Sequence, residues 1–248
     1  MKFVVCVNHV PDTETKVKVA ADGKTIDKAG VNFILNPYDE FAIEAALKMK
    51  EKFGGETVAL TLGGDTNKET LRKALAMGVD KAVLLKDDAA RDSYAVAFAL
   101  AAELKGMSAD GVFFGKQSID YYGEQVPVLV AEMLGIPSVS VVVKMEAEAT
   151  KIVCEREIEG GHEIVETQFP VVISAQKGLN EPRYPSLKGI MAAKTKPIEE
   201  KPAAACAPVV EVVAMNKPAG KQAGRIVGTD ASAVPELVRL LHEEAKVI

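Results

Sequence analysis

The chain has 248 residues, 48% of them hydrophobic and 26% charged, and a formal net charge of −5. That length suits one large domain of roughly 200 residues plus an extension, and the mixed, slightly acidic charge argues against nucleic-acid binding, which wants a basic face. No apolar run reaches the roughly 18 residues of a membrane-spanning helix, Met1 leads into a strand-like run without an export pattern, and Cys6, Cys154 and Cys206 lack the spacing of a metal site or a disulfide framework. The expectation is a cytoplasmic protein with no direct membrane insertion, no nucleic-acid partner and no metal.

In chain order, Lys2 to Val7 (KFVVCV) is predicted to be a strand buried on both faces, with Cys6 inside it as a small hydrophobe. Lys16 to Ala20 alternates and Asp22-Gly23 is a turn signal, which predicts a small hairpin. Asn36-Pro37 opens a helix, with Asn as N-cap, Pro at the first helical position and Asp39 and Glu40 in the first turn; Gly54-Gly55 stops it after Phe53. Thr57 to Leu62 is a second strand, and Thr66 with Glu69 spells a capping box for the next helix. Lys81 to Leu85 is a third strand, Ser93 to Leu104 an Ala-rich helix and Gly111 to Phe114 a fourth strand. A helix from about Glu124 to Leu134 leads to a fifth strand, Ser138 to Met145. This alternation predicts an α/β fold: a doubly wound, mostly parallel, Rossmann-like sheet of the adenine-nucleotide-binding kind, with helices on both faces.

After Thr150 the pattern changes to two alternating segments around Glu159-Gly160-Gly161, read as an antiparallel edge, and then a short buried-type strand, Val171 to Ser174. Residues 178–191 are expected to form an open loop, because Pro182 and Pro185 remove backbone donors and disfavour helix. The loop carries Leu179, Tyr184, Leu187, Ile190 and Met191, as a docking surface does; the alternative is a connector whose apolar side chains fold back on the body. Pro197 to Gly224 reads as an extended arm, and Ser232 to Lys246 as an amphipathic helix with Leu237, Leu240 and Leu241 on one face. The expected division is 1–195, a nucleotide-binding domain that includes a recognition loop at 178–194, and 196–248, a partner-wrapping arm and terminal helix.

Ligands of a doubly wound sheet bind at the carboxyl ends of its strands. The exits here are Asn8-His9-Val10-Pro11, Gly63-Gly64-Asp65-Thr66 and Gly115-Lys116-Gln117-Ser118, where small residues let backbone amides approach a ligand and helix N-termini favour phosphate. The alternative is that these glycines only make tight turns. Neither a dinucleotide fingerprint nor a P-loop is present. His9, His162 and His242 lie in unrelated regions with no nucleophile elbow, so no catalytic residue is assigned. Glu155 and Glu157 share one strand face, the pattern of a solvated face or a salt-bridge partner.

The run Glu155-Arg156-Glu157-Ile158-Glu159-Gly160-Gly161, followed by Leu179-Asn180-Glu181-Pro182-Arg183-Tyr184 and Ile190-Met191-Ala192-Ala193-Lys194, resembles the electron transfer flavoprotein beta subunit. With Asn36-Pro37-Tyr38-Asp39 and Gly115-Lys116-Gln117-Ser118-Ile119-Asp120 the resemblance covers nearly the whole chain. It implies a non-catalytic electron carrier in a heterodimer whose alpha subunit holds most of the FAD on a mobile domain. Electrons would come from acyl-CoA dehydrogenases of fatty acid oxidation and pass to a membrane quinone oxidoreductase.

The resemblance also implies that AMP, or a second FAD in bifurcating members that use NADH as donor, lies against Cys6, Asn36, Pro37, Tyr38, Asp39, Leu62 and the stretch Lys116 to Pro127. That stretch contributes Lys116, Gln117, Ser118, Ile119, Asp120, Gly123, Gln125 and Val126. Thr13 and Tyr38 would lie beside the flavin ring, and Glu157 would touch the flavin-bearing domain of the partner. Tyr184, Leu187, Ile190 and Met191 would face the dehydrogenase, with Leu187 as anchor framed by Lys188, Lys194 and Lys196. Tyr121-Tyr122-Gly123-Glu124 and Pro127 depart from the smaller or hydroxyl- and glycine-bearing residues usual there, and a carboxylate at Glu124 repels a phosphate unless it points away. The wording of the Glu155 and Asn180 motifs resembles the simple AMP-holding carriers more than the bifurcating ones. From another class, a universal-stress-type nucleotide-binding homodimer would share the sheet but have no use for the 178–194 loop. An ATP-pyrophosphatase-like enzyme would want an SGGxDS-type loop, which Gly63-Gly64-Asp65-Thr66 matches only superficially.

Overall fold

Residues 1–220 and 223–248 are described by a computed structural model. In chain order they form β1 (Lys2–Cys6), a short antiparallel pair β2 (His9–Pro11) and β3 (Phe33–Leu35), α1 (Pro37–Phe53), β4 (Glu56–Gly63), α2 (Asn67–Met77), β5 (Lys81–Lys86), α3 (Ser93–Met107), β6 (Gly111–Gly115), α4 (Val126–Leu134) and β7 (Ser138–Ala147). There follow β8 (Lys151–Ile158), β9 (Gly161–Gln168), β10 (Val171–Ala175), α5 (Leu187–Thr195), β11 (Ile198–Pro202) and, after a 3-10 turn at Ala231–Ala233, α6 (Val234–Glu243).

Nine strands make one sheet in the order β11-β5-β4-β1-β6-β10-β7-β8-β9, parallel from β11 to β7 and antiparallel at β8 and β9. Alternation along β1 sends Phe3, Val5 and Val7 to one face, where they pack with Ile43 and Leu47 of α1 and Leu71 and Leu75 of α2. Val4 and Cys6 go to the other face, against Leu100 and Leu104 of α3 and Val130 of α4. A sheet covered on both faces needs strands that are apolar throughout, which is why β1, β4, β5, β6 and β10 read as continuous hydrophobic runs. The doubly wound α/β expectation is met.

The small hairpin expected around Asp22-Gly23 forms: Val19 bridges Ile26, the Ala20 N–H donates to the Thr25 carbonyl at 2.8 Å and the Asp27 N–H to the Lys18 carbonyl at 2.9 Å, and Asp22 accepts the N–H groups of Lys24 and Thr25 at 2.9 and 3.0 Å in its turn. Three other local expectations fail, each for a physical reason. The Thr66–Glu69 capping box does not form: Thr66 has helical dihedrals and makes no side-chain cap, and Asn67 instead bonds back to Thr61 Oγ1 and the Leu62 carbonyl. Residues 187–195 are helical, not open, since both prolines lie upstream of Ser186, whose hydroxyl caps α5 by accepting the Gly189 N–H at 3.0 Å. Prolines bar helix only at and just before their own positions.

Ile198–Pro202 is no arm but a parallel edge strand on β5, secured by Lys201 to Glu103 at 2.7 Å, with Pro202 at its end where a missing donor is harmless. Beyond it the backbone through Gly220 is irregular; positions 221 and 222 of the predicted arm lie outside the described residues. On α6 only Leu240 of the three leucines is buried, while Leu237 and Val238 are exposed.

Phe113, fully buried on β6 and edge-on to Phe3 with ring centroids 6.3 Å apart, ties the core to the strand that carries the site. Phe113→Ala should lower the unfolding free energy by about 3–5 kcal/mol in denaturant titrations; a loss below about 1 kcal/mol would contradict this packing.

Candidate functional site

β1 and β6 are neighbours whose following connections diverge, which makes their exits the switch point of the sheet. The N-terminus of α1 lies across this point. Asp39, in its first turn, is 1% exposed, and its carboxylate draws three chain segments together. Oδ2 accepts the Asn8 N–H at 2.6 Å, and Oδ1 accepts the Gly115 N–H at 3.1 Å and the Asn36 side-chain amide at 2.9 Å. Asn36 is fully buried and makes no helix cap, contrary to expectation; its amide also donates to the Gln117 carbonyl at 2.9 Å, and its Oδ1 accepts the Ile119 N–H at 3.3 Å.

Each donor faces a carboxylate oxygen, so the geometry is that of the ionised acid. Burial nevertheless pushes the Asp39 carboxyl up from 3.8 to about 7, against the hydrogen bonds from Asn8, Asn36 and Gly115. Burial, with Asp39 nearby, also holds the Cys6 thiol well above its usual range, which leaves Cys6 an inert core residue.

The glycines of the β4 and β6 exits serve internal packing. A Cβ on Gly115 would fall 2.4 Å from Asp39 Oδ1 and 2.7 Å from the Tyr38 backbone. One on Gly63 would meet the Asn67 side chain at 2.5 Å, and one on Gly64 the Asp88 carboxylate at 2.0 Å. At each of these glycines the protein's own amide or carboxylate stands where a side chain would be.

The stretch after β6 is unusual. Tyr122 and Glu124 both have left-handed backbones, φ 52° and 53°, although neither is glycine. The Tyr122 N–H returns to the Ser118 carbonyl at 3.0 Å, and Tyr121 and Tyr122 project into solvent. Glu124 does not point away: its carboxylate lies 3.4 Å from Lys116 Nζ. The left-handed turn at Glu124 also delays α4 to Val126, where no side chain caps the helix.

Asn36, Asp39 and Lys116 to Ile119 therefore meet, with Pro37 and Tyr38 half-buried on the same helix turn and Leu62 half-buried at the end of β4, next to β1. Asp120, Gly123 and Gln125 are exposed on the strained stretch, and Val126 is half-buried at the start of α4. Thr13 is exposed in the turn after β2, where its hydroxyl lies 3.4 Å from Asp12. Glu157 accepts from Gln176 Nε2 at 2.8 Å, which puts it beside the exit of β10 on the same edge of the sheet as Gly115. Its strand neighbour Glu155 pairs with His162 at 2.6 Å.

Two features were missed by sequence. Asn8 acts through its backbone and leaves no side-chain signal. The pairing of Glu44 with Arg183 had one: a lone carboxylate inside the apolar run Ala42-Ile43-Glu44-Ala45-Ala46 demands a buried partner. A cleft of about 550 Å³ opens elsewhere, between Lys48 and Lys52 of α1, the β7–β8 hairpin and Asn180.

The electron transfer flavoprotein domain matches residues 23–206 of the chain. The electron transfer flavoprotein subunit beta of Syntrophomonas wolfei is 44% identical over 90% of this chain and 88% of that protein. Those of Bacillus subtilis and Bradyrhizobium diazoefficiens are 41% and 37% identical over the full length of both chains. The chain belongs to the electron transfer flavoprotein beta-subunit family. The family match takes in the Asn36–Asp39 turn, the stretch after β6, α5 and β11.

Asp39 gives a pH signature. A carboxyl whose folded value is raised favours the folded state most below its unfolded value of 3.8, and that contribution is lost as pH rises through about 7. Relative to Asp39→Asn, wild-type unfolding free energy should fall by on the order of 4 kcal/mol between about pH 4 and about pH 8. The variant should also be weakened by about 1–3 kcal/mol at neutral pH, since its amide nitrogen confronts N–H donors. Parallel stability–pH curves for the two proteins would show that Asp39 is not the titrating group.

Proposed function

We propose that the chain is the beta subunit of a simple, AMP-holding electron transfer flavoprotein, a rigid platform on which an alpha subunit carries FAD. FAD, when bound, supplies the two-electron chemistry; this chain positions and shields. The observation that carries the reading is the Asn36–Asp39 clamp, which fixes the β1 and β6 exits and Lys116 against one another in a chain of this family. Electrons would enter from acyl-CoA dehydrogenases and leave to a membrane quinone oxidoreductase, with the heterodimer in the cytoplasm. No helix among the described residues is long and apolar enough to cross a membrane.

The residues at the switch point fit a nucleotide monophosphate. Lys116 is a cation, and Glu124, which pairs with it, stands just ahead of the uncapped N-terminus of α4, so cation and helix dipole address one spot. Gln117, Ser118 and Ile119 would line the base and ribose; Asn36 and Asp39 would act by holding those loops, since their polar atoms are engaged within the protein. Tyr38 and Thr13 would flank the flavin ring, and Glu157 the partner's flavin domain. Tyr184, Leu187, Ile190 and Met191 would form the dehydrogenase-docking face, and Tyr184 and Leu187 are 95% and 78% exposed. Lys188 and Lys194 are exposed and would frame it, whereas Lys196 Nζ donates inward to the Val79 carbonyl at 2.7 Å. The residues after β11, with exposed Val209, Val210 and Val213 and the open face of α6, would wrap the alpha subunit.

Release of bound cofactors from the heterodimer, purified with its alpha subunit, should give one FAD and one AMP. Two FAD would replace this reading with a bifurcating carrier that takes electrons from NADH. Glu124 competes with phosphate for Lys116, so Glu124→Gln should tighten AMP about tenfold in calorimetry on nucleotide-stripped protein at low salt. An unchanged affinity would remove Glu124 and Lys116 from the phosphate site.

A further inference from the structure

We propose that Arg183 is a positioning residue for partner docking: by neutralising the buried Glu44 of α1 it holds the Tyr184–Met191 face in its binding-ready form. The proposal rests on the reading of that face as the docking surface. Glu44 sits among Ala42, Ile43, Ala45 and Ala46 with its side chain 4% exposed, and a carboxylate so placed needs a cation. Arg183 supplies a two-pronged fork, Nε to Oε2 at 2.8 Å and Nη2 to Oε1 at 3.0 Å, while its own backbone N–H reaches Oε2 at 3.2 Å. The remaining guanidinium nitrogen, Nη1, donates to Glu51 at 2.7 Å. Three residues upstream, Asn180 Nδ2 donates to the Phe41 carbonyl at 2.9 Å. Residues 41, 44 and 51 lie along one side of α1, so the segment is fastened along about three turns of the helix.

The far end of the element is fastened as firmly. The guanidinium of Arg72 on α2 donates to the carbonyls of Ala193 and Lys196. Gly189 lets α5 approach so closely that a Cβ there would fall 2.5 Å from the Ala76 carbonyl oxygen. Between these anchorages stand Tyr184, Leu187, Ile190 and Met191, four exposed apolar side chains on backbone that is held at both ends. Ordering such a segment at the moment of docking would cost affinity; ordering it during folding removes that cost. Arg183 is next to the most exposed of the four, and lysine cannot replace it, because one ammonium cannot span both Glu44 oxygens and Glu51.

The test uses the FAD-loaded heterodimer and its acyl-CoA dehydrogenase, with Leu187→Ala as comparator. Arg183→Lys should raise the apparent KM for the dehydrogenase about tenfold, with kcat and FAD content unchanged and faster amide exchange at residues 184–191. A paired variant, Glu44→Gln with Arg183→Gln, removes the buried charge together with its partner; it should recover thermal stability relative to Arg183→Gln alone and still show the raised KM. Wild-type KM in Arg183→Lys, with a raised KM in Leu187→Ala, would overturn the positioning role and leave the docking face standing. Wild-type KM in both would overturn the docking face itself. Loss of FAD or kcat in step with KM would reduce Arg183 to a structural residue, and so would recovery of KM in the paired variant.

Discussion

The organisation of this protein depends on one buried carboxylate. Asp39 accepts from Asn8, Asn36 and Gly115, so the exits of two parallel strands and the first turn of a helix converge on a single charge. Removing a carboxylate from water is costly, and three donors offset only part of that cost, which is why its carboxyl is lifted to about 7 and no further. While the acid is ionised these bonds are stronger than neutral ones. They also constrain sequence at a distance: Gly115 must lack a side chain because the Asp39 oxygen stands where its Cβ would be. A clamp of this kind gives the switch point a fixed shape in the protein itself, so a ligand meets loops that are already in register.

α1 extends that constraint across the molecule. Its first turn carries the clamp, its middle Glu44 and its last turn Glu51, and the two glutamates hold Arg183 and with it the root of α5. A helix of 17 residues is about 25 Å of stiff rod. The switch point and the exposed apolar face are thus referred to one rigid body without touching each other. α2 completes the frame, since Arg72 and the Ala76 carbonyl hold the other end of α5. The stretch Asn180-Glu181-Pro182-Arg183-Tyr184 becomes intelligible in these terms. Asn180 and Arg183 face inward to the α1 backbone and to Glu44, and Tyr184 faces outward.

What the sequence revealed follows from burial. Strands covered on both faces must be apolar throughout, so β1, β4, β5, β6 and β10 stand out as runs, and α1 and α4 are each marked by a proline in the first turn and a glycine at the end. What it concealed depends on contacts distant in sequence. Ile198–Pro202 looks like arm composition and becomes a strand only because β5 offers an unpaired edge. Asn36 looks like an N-cap and is drawn inward by Asp39 and Gln117. The exit glycines read equally well as ligand cradles or as packing sites, and only the positions of Asn67, Asp88 and Asp39 decide for packing. Pro182 and Pro185 predict an open chain over 178–191, but their effect ends at their own positions, and Ser186 caps a helix immediately beyond them.

The stretch Tyr121 to Glu124, where the chain departs from its family resemblance, behaves as one coupled unit. Bulky residues at two left-handed positions are strained, each by roughly 1–3 kcal/mol, and such strain persists only where neighbouring contacts over-determine the backbone. Two contacts do so here: the Tyr122 N–H is held by the Ser118 carbonyl, and the Glu124 carboxylate is drawn to Lys116. The second contact is weak by the standards of buried pairs, since both groups are partly exposed and screened. A dianionic phosphate offers Lys116 a stronger partner than one carboxylate, so occupancy by a nucleotide would release Glu124 and with it one of the two restraints on the strained turn. On the proposed reading the glutamate would balance the charge of Lys116 until a phosphate arrived, and the strain in the turn would favour that exchange. Tyr121 to Glu124 would then tune how tightly the site holds an anion while leaving the clamp beneath it unchanged.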